Sequence, residues 1–218
     1  MILLIVIVIE VLMAELLIKS RENMKRTIVL FHGYGKNRDI FASVGRAFSR
    51  AITDADIHIP NAFQECAEGG YQWFPFIDEN VESWKMAYYD VEPQLEEYVA
   101  NIVQEKKQTY DDVTFVGFSQ GAMISIMLGI KLQVKAAIAF AGQLLDPNIS
   151  VNSNQPKIFM AHSKMDKVVP ISEMYSAEKI LQSKGLTVKT FISKATEHVV
   201  DIDMIKVSDD FLLEQNSH

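Results

Sequence analysis

Cysteine is almost absent from this sequence, which has a single one, Cys66, among 218 residues. No disulfide can form within the chain, and this composition suits a reducing compartment. Cys66 stands between Glu65 and Glu68, and neighbouring carboxylates disfavour the thiolate that a cysteine nucleophile requires. We therefore predict that Cys66 is not catalytic and that the protein is cytoplasmic.

Basic residues are outnumbered: 21 Lys and Arg stand against 28 Asp and Glu, which gives a net charge of -7. Nucleic-acid binding would need clustered Lys and Arg, so no nucleic-acid partner is predicted. Internal repeats are missing, and no low-complexity segment occurs beyond the N-terminal run. With 49% apolar residues, the chain has the composition of one globular domain with a sizeable core.

Long apolar runs are missing except at the N-terminus, where residues 1–18 carry only Glu10 and Glu15 as charged side chains. A helix of this length would span about 27 Å, close to the bilayer thickness, but two carboxylates make insertion marginal. No basic residue precedes the run and no small-residue cleavage site follows it, which disfavours a secretory signal. Residues 1–23 are expected to be a packed extension, a membrane anchor that keeps the domain in the cytoplasm, or the product of a misassigned start before Met24. The domain itself is expected to cover residues 24–218.

After this extension, short apolar runs alternate with longer amphipathic segments. Strands are predicted at residues 27–31, 57–59, 113–116, 136–140, 157–161 and 186–192, and helices at 38–51, 92–107, 119–132, 171–183 and 202–213. This alternation predicts an α/β fold with a mostly parallel sheet flanked by helices. Residues 61–84 lack periodicity and are predicted to form a functional loop. Ligands in such folds bind at the carboxyl ends of the strands.

The sequence Gly117-Phe118-Ser119-Gln120-Gly121 follows one of these strands and opens a helix. It is a nucleophile elbow, G-x-S-x-G, in the strand–turn–helix context that the motif requires. The sharp turn leaves no room for side chains at the flanking glycines. Ser119 is therefore the predicted nucleophile, at a helix N-terminus that favours developing negative charge.

A serine nucleophile needs a base to take its proton and a carboxylate to orient that base. In this fold the chain order is serine, then acid, then histidine. His198 follows the last predicted strand and is the predicted base, whereas His162 is expected to order its own loop and His218 ends the chain. Asp166 lies in the loop after the penultimate strand and is the predicted acid.

Other candidates for the acid are weaker. Asp146 follows an earlier strand and is the main rival, while Asp201 and Asp203 lie close to His198 in sequence, near a helix N-cap.

The oxyanion hole needs two backbone N–H donors. We predict the N–H groups of Gln120 and of Tyr34, the latter in the turn His32-Gly33-Tyr34-Gly35 after the first strand. His32 is expected to be structural.

These motifs resemble those of the phospholipase/carboxylesterase family, which includes acyl-protein thioesterases. The matching stretches are Leu30-Phe31-His32-Gly33-Tyr34-Gly35, Gly117-Phe118-Ser119-Gln120-Gly121-Ala122 and Asp166-Lys167-Val168-Val169-Pro170. Residues 60–74 also resemble the loop that this family places over its acyl pocket. The resemblance implies an α/β-hydrolase fold without a large lid domain, the triad Ser119, Asp166 and His198, and oxyanion amides at Tyr34 and Gln120.

By the same resemblance, the substrates would be carboxylic esters or thioesters of small molecules or lipids, lysophospholipids among them, and acylated proteins, with no metal or organic cofactor. Aromatic residues in the loop are candidates for the acyl pocket or for core packing: Trp73, Phe74 and Phe76. Ser163 and Glu197 stand where the family commonly has glycine. A peptidase or dienelactone-type hydrolase is a weaker alternative, and a non-catalytic acyl-binding protein is another. Membrane contact could occur only through residues 1–18.

Overall fold

The computed structural model describes residues 26–51, 55–67, 69–152 and 154–214. The apolar run at residues 1–18, the boundary at Met24 and His218 lie outside these ranges. Within them, no helix combines the length and apolarity needed to cross a membrane.

Eight strands and five helices follow one another along the described chain. The strands are β1 (Arg26–Phe31), β2 (Ala55–His58), β3 (Gln64–Glu65), β4 (Tyr71–Gln72), β5 (Val113–Phe118), β6 (Ala136–Phe140), β7 (Lys157–Ser163) and β8 (Val188–Ser193). The helices are α1 (Arg38–Ala51), α2 (Val81–Lys106), α3 (Gln120–Leu132), α4 (Ile171–Ser183) and α5 (Ile202–Glu214), with a short 3-10 helix at Tyr110–Asp112.

Six strands form one parallel sheet in the order β2-β1-β5-β6-β7-β8. Side chains of each central strand alternate between two apolar layers. In β1, Val29 and Phe31 join the layer that packs against α2, α3 and α4, while Ile28 and Leu30 join the layer beneath α1 and α5. Burial on both faces explains why the strand sequences are continuously apolar.

The α/β architecture predicted from the sequence is confirmed, with two local corrections. The long helix α2 begins at Val81, not at Glu92, and continues through Pro93. The segment predicted as one long loop contains the antiparallel pair β3–β4 and the first turn of α2. The remaining helices match the predicted ranges to within one residue.

Parallel strands place the ends of β1, β5, β6, β7 and β8 along one edge of the sheet, as the register pairs of their last residues show. Phe31 pairs with Gly117, Phe118 with Phe140, and Ser163 with Ser193. The loops that carry the predicted site residues leave the sheet at this edge.

Candidate active site

Ser119 occupies the turn between β5 and α3 with backbone angles φ 54° and ψ -115°. This left-handed φ is uncommon for a residue with a side chain. The Ser119 N–H donates to Phe140 O on the neighbouring strand at 2.9 Å. A Cβ at Gly117 would lie 2.0 Å from Gly121 O, and a Cβ at Gly121 would lie 1.9 Å from Phe31 O. The close approach of α3 to the sheet therefore requires glycine on both sides of the elbow.

Asp166 lies in the turn after β7, and its side chain is fully buried. Its Oδ1 accepts hydrogen bonds from the N–H groups of Val168 (2.8 Å) and Val169 (3.0 Å), and its Oδ2 accepts one from His198 Nδ1 (2.7 Å). Burial alone would raise the pKa of Asp166, but these hydrogen bonds outweigh it and hold the pKa below its ordinary value. The carboxylate is therefore ionised and oriented towards His198.

His198 follows β8 and bonds to Asp166 through Nδ1. A carboxylate can only accept, so Nδ1 carries the hydrogen and Nε2 is the nitrogen that can take a proton. The ring of Phe118, next to Ser119, packs against the imidazole with centroids 4.7 Å apart. The structure therefore brings Asp166 and His198 into direct contact and places His198 beside the elbow.

The loop that carries His198 is fixed at both of its ends. Ser193 Oγ, at the end of β8, donates to Asp201 Oδ2 and accepts from Ala195 N–H at 3.0 Å. Asp201 Oδ1 accepts from the N–H groups of Asp203 and Met204, both at 2.9 Å, and so caps α5. Asp201 is therefore the residue that caps α5, where an N-cap was expected near Asp201 and Asp203, and it also anchors the loop.

The other candidate residues make different contacts. His162 Nε2 lies 2.8 Å from Val169 O and 3.4 Å from Asp166 Oδ2, so this histidine braces the loop that carries the acid. Burial lowers the pKa of His162 and keeps the ring neutral. Asp146 accepts from Tyr89 Oη at 2.6 Å and from Asn148 N–H at 2.9 Å, away from the imidazoles.

The turn after β1 and the start of α3 are neighbours because β1 and β5 are adjacent strands. The turn is closed by the hydrogen bond from Lys36 N–H to Gly33 O at 3.2 Å. His32 is buried, its Nε2 accepts from Ala62 N–H at 3.0 Å, and its Nδ1 lies 2.8 Å from Gly33 O. Burial lowers the pKa of His32 and keeps the ring neutral. Because Nε2 accepts from Ala62 N–H, the hydrogen of the neutral ring lies on Nδ1. The segments that hold the two predicted oxyanion amides, Tyr34 and Gln120, are thus side by side.

The side chain of Gln120 has a role that the sequence did not reveal. Its Oε1 accepts from Trp73 N–H at 2.9 Å, and its Nε2 donates to Phe74 O at 2.7 Å. Both partners lie more than forty residues earlier in the chain, so no local pattern indicates the contact. Only the identity of residue 120 as a carboxamide, which has both a donor and an acceptor, offered a signal.

The three candidate pocket aromatics divide into two groups. Trp73 and Phe74 are completely buried, and Trp73 packs edge-on against Phe31. A side chain with no accessible surface cannot contact a substrate in this conformation, so these two belong to the core. Phe76 is half-buried and stacks on Tyr34 with centroids 5.3 Å apart, which places it beside the proposed oxyanion segment.

No group of three or more His, Cys, Asp or Glu side chains within the described ranges is arranged to hold a metal ion.

A parallel sheet with helices on both faces, a strained serine elbow, and an Asp–His pair in the loops after β7 and β8 define an α/β-hydrolase. The sequence profile of the phospholipase/carboxylesterase family matches residues 13–215, so the chain belongs to this family. It is accordingly a serine hydrolase of the carboxylesterase/phospholipase type, an enzyme that acts on carboxylic esters. The matched region begins within the apolar N-terminal run.

Individual relatives agree with this placement. The chain is 27% identical to esterase YpfH of Escherichia coli K12 over 183 residues, which cover 81% of this chain and 77% of YpfH. The crystal structure of esterase PE8 is similar with a TM-score of 0.82 and 28% identity, covering 87% of this chain and 92% of PE8. The Bacillus cereus carboxylesterase shares the fold at 14% identity, with a TM-score of 0.77 over 88% of this chain and 89% of that one.

Proposed function

We propose that Ser119 attacks the acyl carbonyl of an ester or thioester, with His198 as the base and Asp166 as the residue that orients it. The observation that carries this proposal is the 2.7 Å hydrogen bond from His198 Nδ1 to the buried Asp166 carboxylate, beside the strained elbow of Ser119. With Nδ1 protonated, Nε2 takes the proton of the serine hydroxyl as the Oγ–acyl bond forms.

The same groups complete the cycle. The N–H groups of Tyr34 and Gln120 stabilise the oxyanion of the tetrahedral intermediate. His198 then returns the proton to the leaving alcohol or thiol, and an acyl-enzyme remains on Ser119. Water, deprotonated by His198, attacks this ester, and the carboxylic acid leaves as Ser119 regains its hydrogen. Asp166 stays ionised throughout, which fits its lowered pKa.

For the substrate, we propose a carboxylic ester or thioester with an apolar acyl group, borne by a small molecule, a lipid or a protein. Large apolar side chains are exposed on two loops that border the site. Met165 and Val168 flank Asp166 and are 58% and 67% exposed, and Ile77, next to Phe76, is 76% exposed. Such side chains favour contact with an acyl chain over contact with a charged substrate.

The test is hydrolysis of matched esters and thioesters from acetyl to palmitoyl by the full chain and by S119A. Ser208→Ala is the matched control, because Ser208 is also buried but lies within α5 and donates only to Ile205 O. We expect turnover and fluorophosphonate labelling to be lost in S119A and kept in the control. Turnover that survives in S119A would overturn the assignment of the nucleophile. A wild-type protein that neither turns over nor reacts with the probe would favour the acyl-binding alternative.

A further inference from the structure

The Gln120 side chain bridges two parts of the active site that are distant in sequence. It is completely buried, and its single carboxamide both accepts from Trp73 N–H and donates to Phe74 O. A carboxylate at this position could only accept, and an apolar side chain could do neither. Both backbone groups belong to the loop between β4 and α2, so the start of α3 is bonded to that loop.

The loop is bonded on its other side to the turn after β1. Trp73 Nε1 donates to His32 O at 2.8 Å, and two backbone hydrogen bonds of 2.9 Å join Tyr71 to Gly35 and Lys36. Here the backbones are so close that a Cβ at Gly70 would lie 2.3 Å from Gly35 O. The segment 71–74 therefore contacts the neighbours of both proposed oxyanion donors, Tyr34 and Gln120.

We propose that Gln120 is, through its carboxamide, a positioning residue for ester hydrolysis. The carboxamide fixes the 71–74 segment between the two oxyanion segments and so holds the Tyr34 and Gln120 N–H groups where both can bind the same oxyanion. This inference rests on the proposed roles of Ser119 and of those two amides. It adds to them a structural cause for their alignment, since an oxyanion donor contributes only when it lies within hydrogen-bond distance of the developing charge.

Loss of a whole oxyanion donor lowers kcat by about 100- to 1000-fold, so misalignment of the donors is expected to lower it by roughly 10- to 100-fold. The effect belongs to the tetrahedral state and leaves substrate binding unchanged. A purely structural role would instead lower thermal stability and leave kcat intact in the folded protein.

The experiment uses Q120M in the full chain, because methionine keeps the shape of the side chain and removes both hydrogen bonds. The matched control is Thr27→Val, which removes the hydrogen bond from Oγ1 of the fully buried Thr27 to Oε1 of the half-buried Gln108, at the opposite end of β1. For both variants, kcat, KM, the melting temperature and inhibition by an alkyl boronic acid, which forms a tetrahedral adduct on serine, are measured at a temperature where the proteins are folded.

We expect kcat of Q120M to fall at least tenfold with KM within twofold, and boronate binding to weaken in parallel, while Thr27→Val loses stability only. A kcat of Q120M within twofold of wild type overturns the proposal. If Q120M does not fold, Q120N makes the same test, because its side chain is one methylene shorter and cannot reach both Trp73 N–H and Phe74 O, and an unchanged kcat again overturns the proposal. S119A is assayed alongside: activity in S119A refutes the proposed function, whereas inactive S119A with fully active Q120M refutes only the role of Gln120.

Discussion

Gly121→Ala is the substitution for which the structure predicts the largest coupled loss of stability and activity. The added Cβ would lie 1.9 Å from Phe31 O, 2.5 Å from Phe31 C and 2.8 Å from His32 O. All three are backbone atoms of the central strand β1 or of the turn after it, so no side-chain rotation relieves the contact. The start of α3 and the end of β1 must separate by about 1 Å before the contact reaches even the shortest distances that Cβ atoms make.

That separation acts on two measurable quantities. Overpacking of a well-packed interior costs about 1–3 kcal/mol of folding free energy, and more where the backbone must move. For a chain of this size, a loss of about 3 kcal/mol lowers the melting temperature by roughly 6–12 °C. The same movement pulls the Gln120 N–H away from the Tyr34 segment, and a displacement of about 1 Å in a catalytic site lowers turnover by about 100-fold.

Gly129→Ala in the same helix is the matched control. Its nearest contact would be the side chain of Ala137 at 3.2 Å, and Ala is favoured over Gly within a helix by about 1 kcal/mol. We therefore expect its melting temperature and kcat to stay close to wild type. Thermal denaturation and ester kinetics on both variants check the reasoning. A Gly121→Ala protein with wild-type stability and turnover would show that the elbow tolerates a side chain there and would refute the steric argument.

Two further predictions concern carboxylates. Asp166→Asn is expected to lower kcat by about 1000- to 10,000-fold with the fold retained, because an amide can hold the His198 ring in the wrong tautomer. Circular dichroism tests whether the fold is retained, and ester kinetics measure kcat. A loss of kcat below tenfold would contradict the role of Asp166. Burial and, to a smaller extent, the charge of Asp210 raise the pKa of Asp209 to about 7, above the value of about 3.9 for an unfolded chain. Ionisation is therefore disfavoured in the folded state, and stability falls as pH rises from about 4 to about 7. Because the group is only half-buried, the loss is discounted to about 1–2 kcal/mol, so Asp209→Asn should raise the melting temperature by roughly 2–8 °C at pH 8 and not at pH 4. The control Asp90→Asn, at an exposed position, should leave the melting temperature unchanged at both pH 4 and pH 8. An equal effect of Asp209→Asn at both pH values would rule out titration of Asp209 as the cause.

The strands and most helices could be predicted because each has a local signature. Strands buried on both faces are continuously apolar, and the elbow combines two glycines with a strand and a helix whose order leaves few alternatives for Ser119. The start of α2 was missed because Pro93 is typical of the first turn of a helix, whereas here the turns on both sides of it are held by buried side chains of Tyr88, Val91 and Leu95.

Contacts between segments that are distant in the chain cannot be predicted from local sequence patterns. Strands β3 and β4 have two residues each, and β4 is bonded to the turn after β1: Gly35 N–H donates to Tyr71 O and Tyr71 N–H donates to Lys36 O, which no periodicity reveals. The sequence is compatible with both a pocket role and a core role for Trp73, and its burial follows from packing against Phe31, which is distant in sequence. The bonds of the Gln120 side chain are hidden for the same reason. Local sequence patterns thus indicate which residues react, whereas the contacts that position those residues arise from tertiary packing.

Backbone strain supplies one more physical link between fold and site. Among the described residues, four with side chains have positive φ, and two of these, Lys107 and Gln133, simply end helices. The other two, Ser119 and Ala141, follow the adjacent strands β5 and β6 at the carboxyl edge of the sheet. Such conformations cost about 1–3 kcal/mol each and persist only where the surroundings hold them in place.

Two backbone hydrogen bonds continue the sheet past these strands and hold both residues in place. The Ser119 N–H bonds to Phe140 O at 2.9 Å, and the Ala141 N–H bonds to Ala161 O at 2.8 Å. If these bonds were lost, the N–H groups and their carbonyl partners would be left unpaired beside a buried sheet interior, at a cost of about 1–3 kcal/mol for each unpaired group. These bonds therefore oppose relaxation of the strain and hold Ser119 at the edge of the sheet beside Phe118, whose ring contacts His198. The rigidity that a preorganised nucleophile needs thus comes from the central strands themselves.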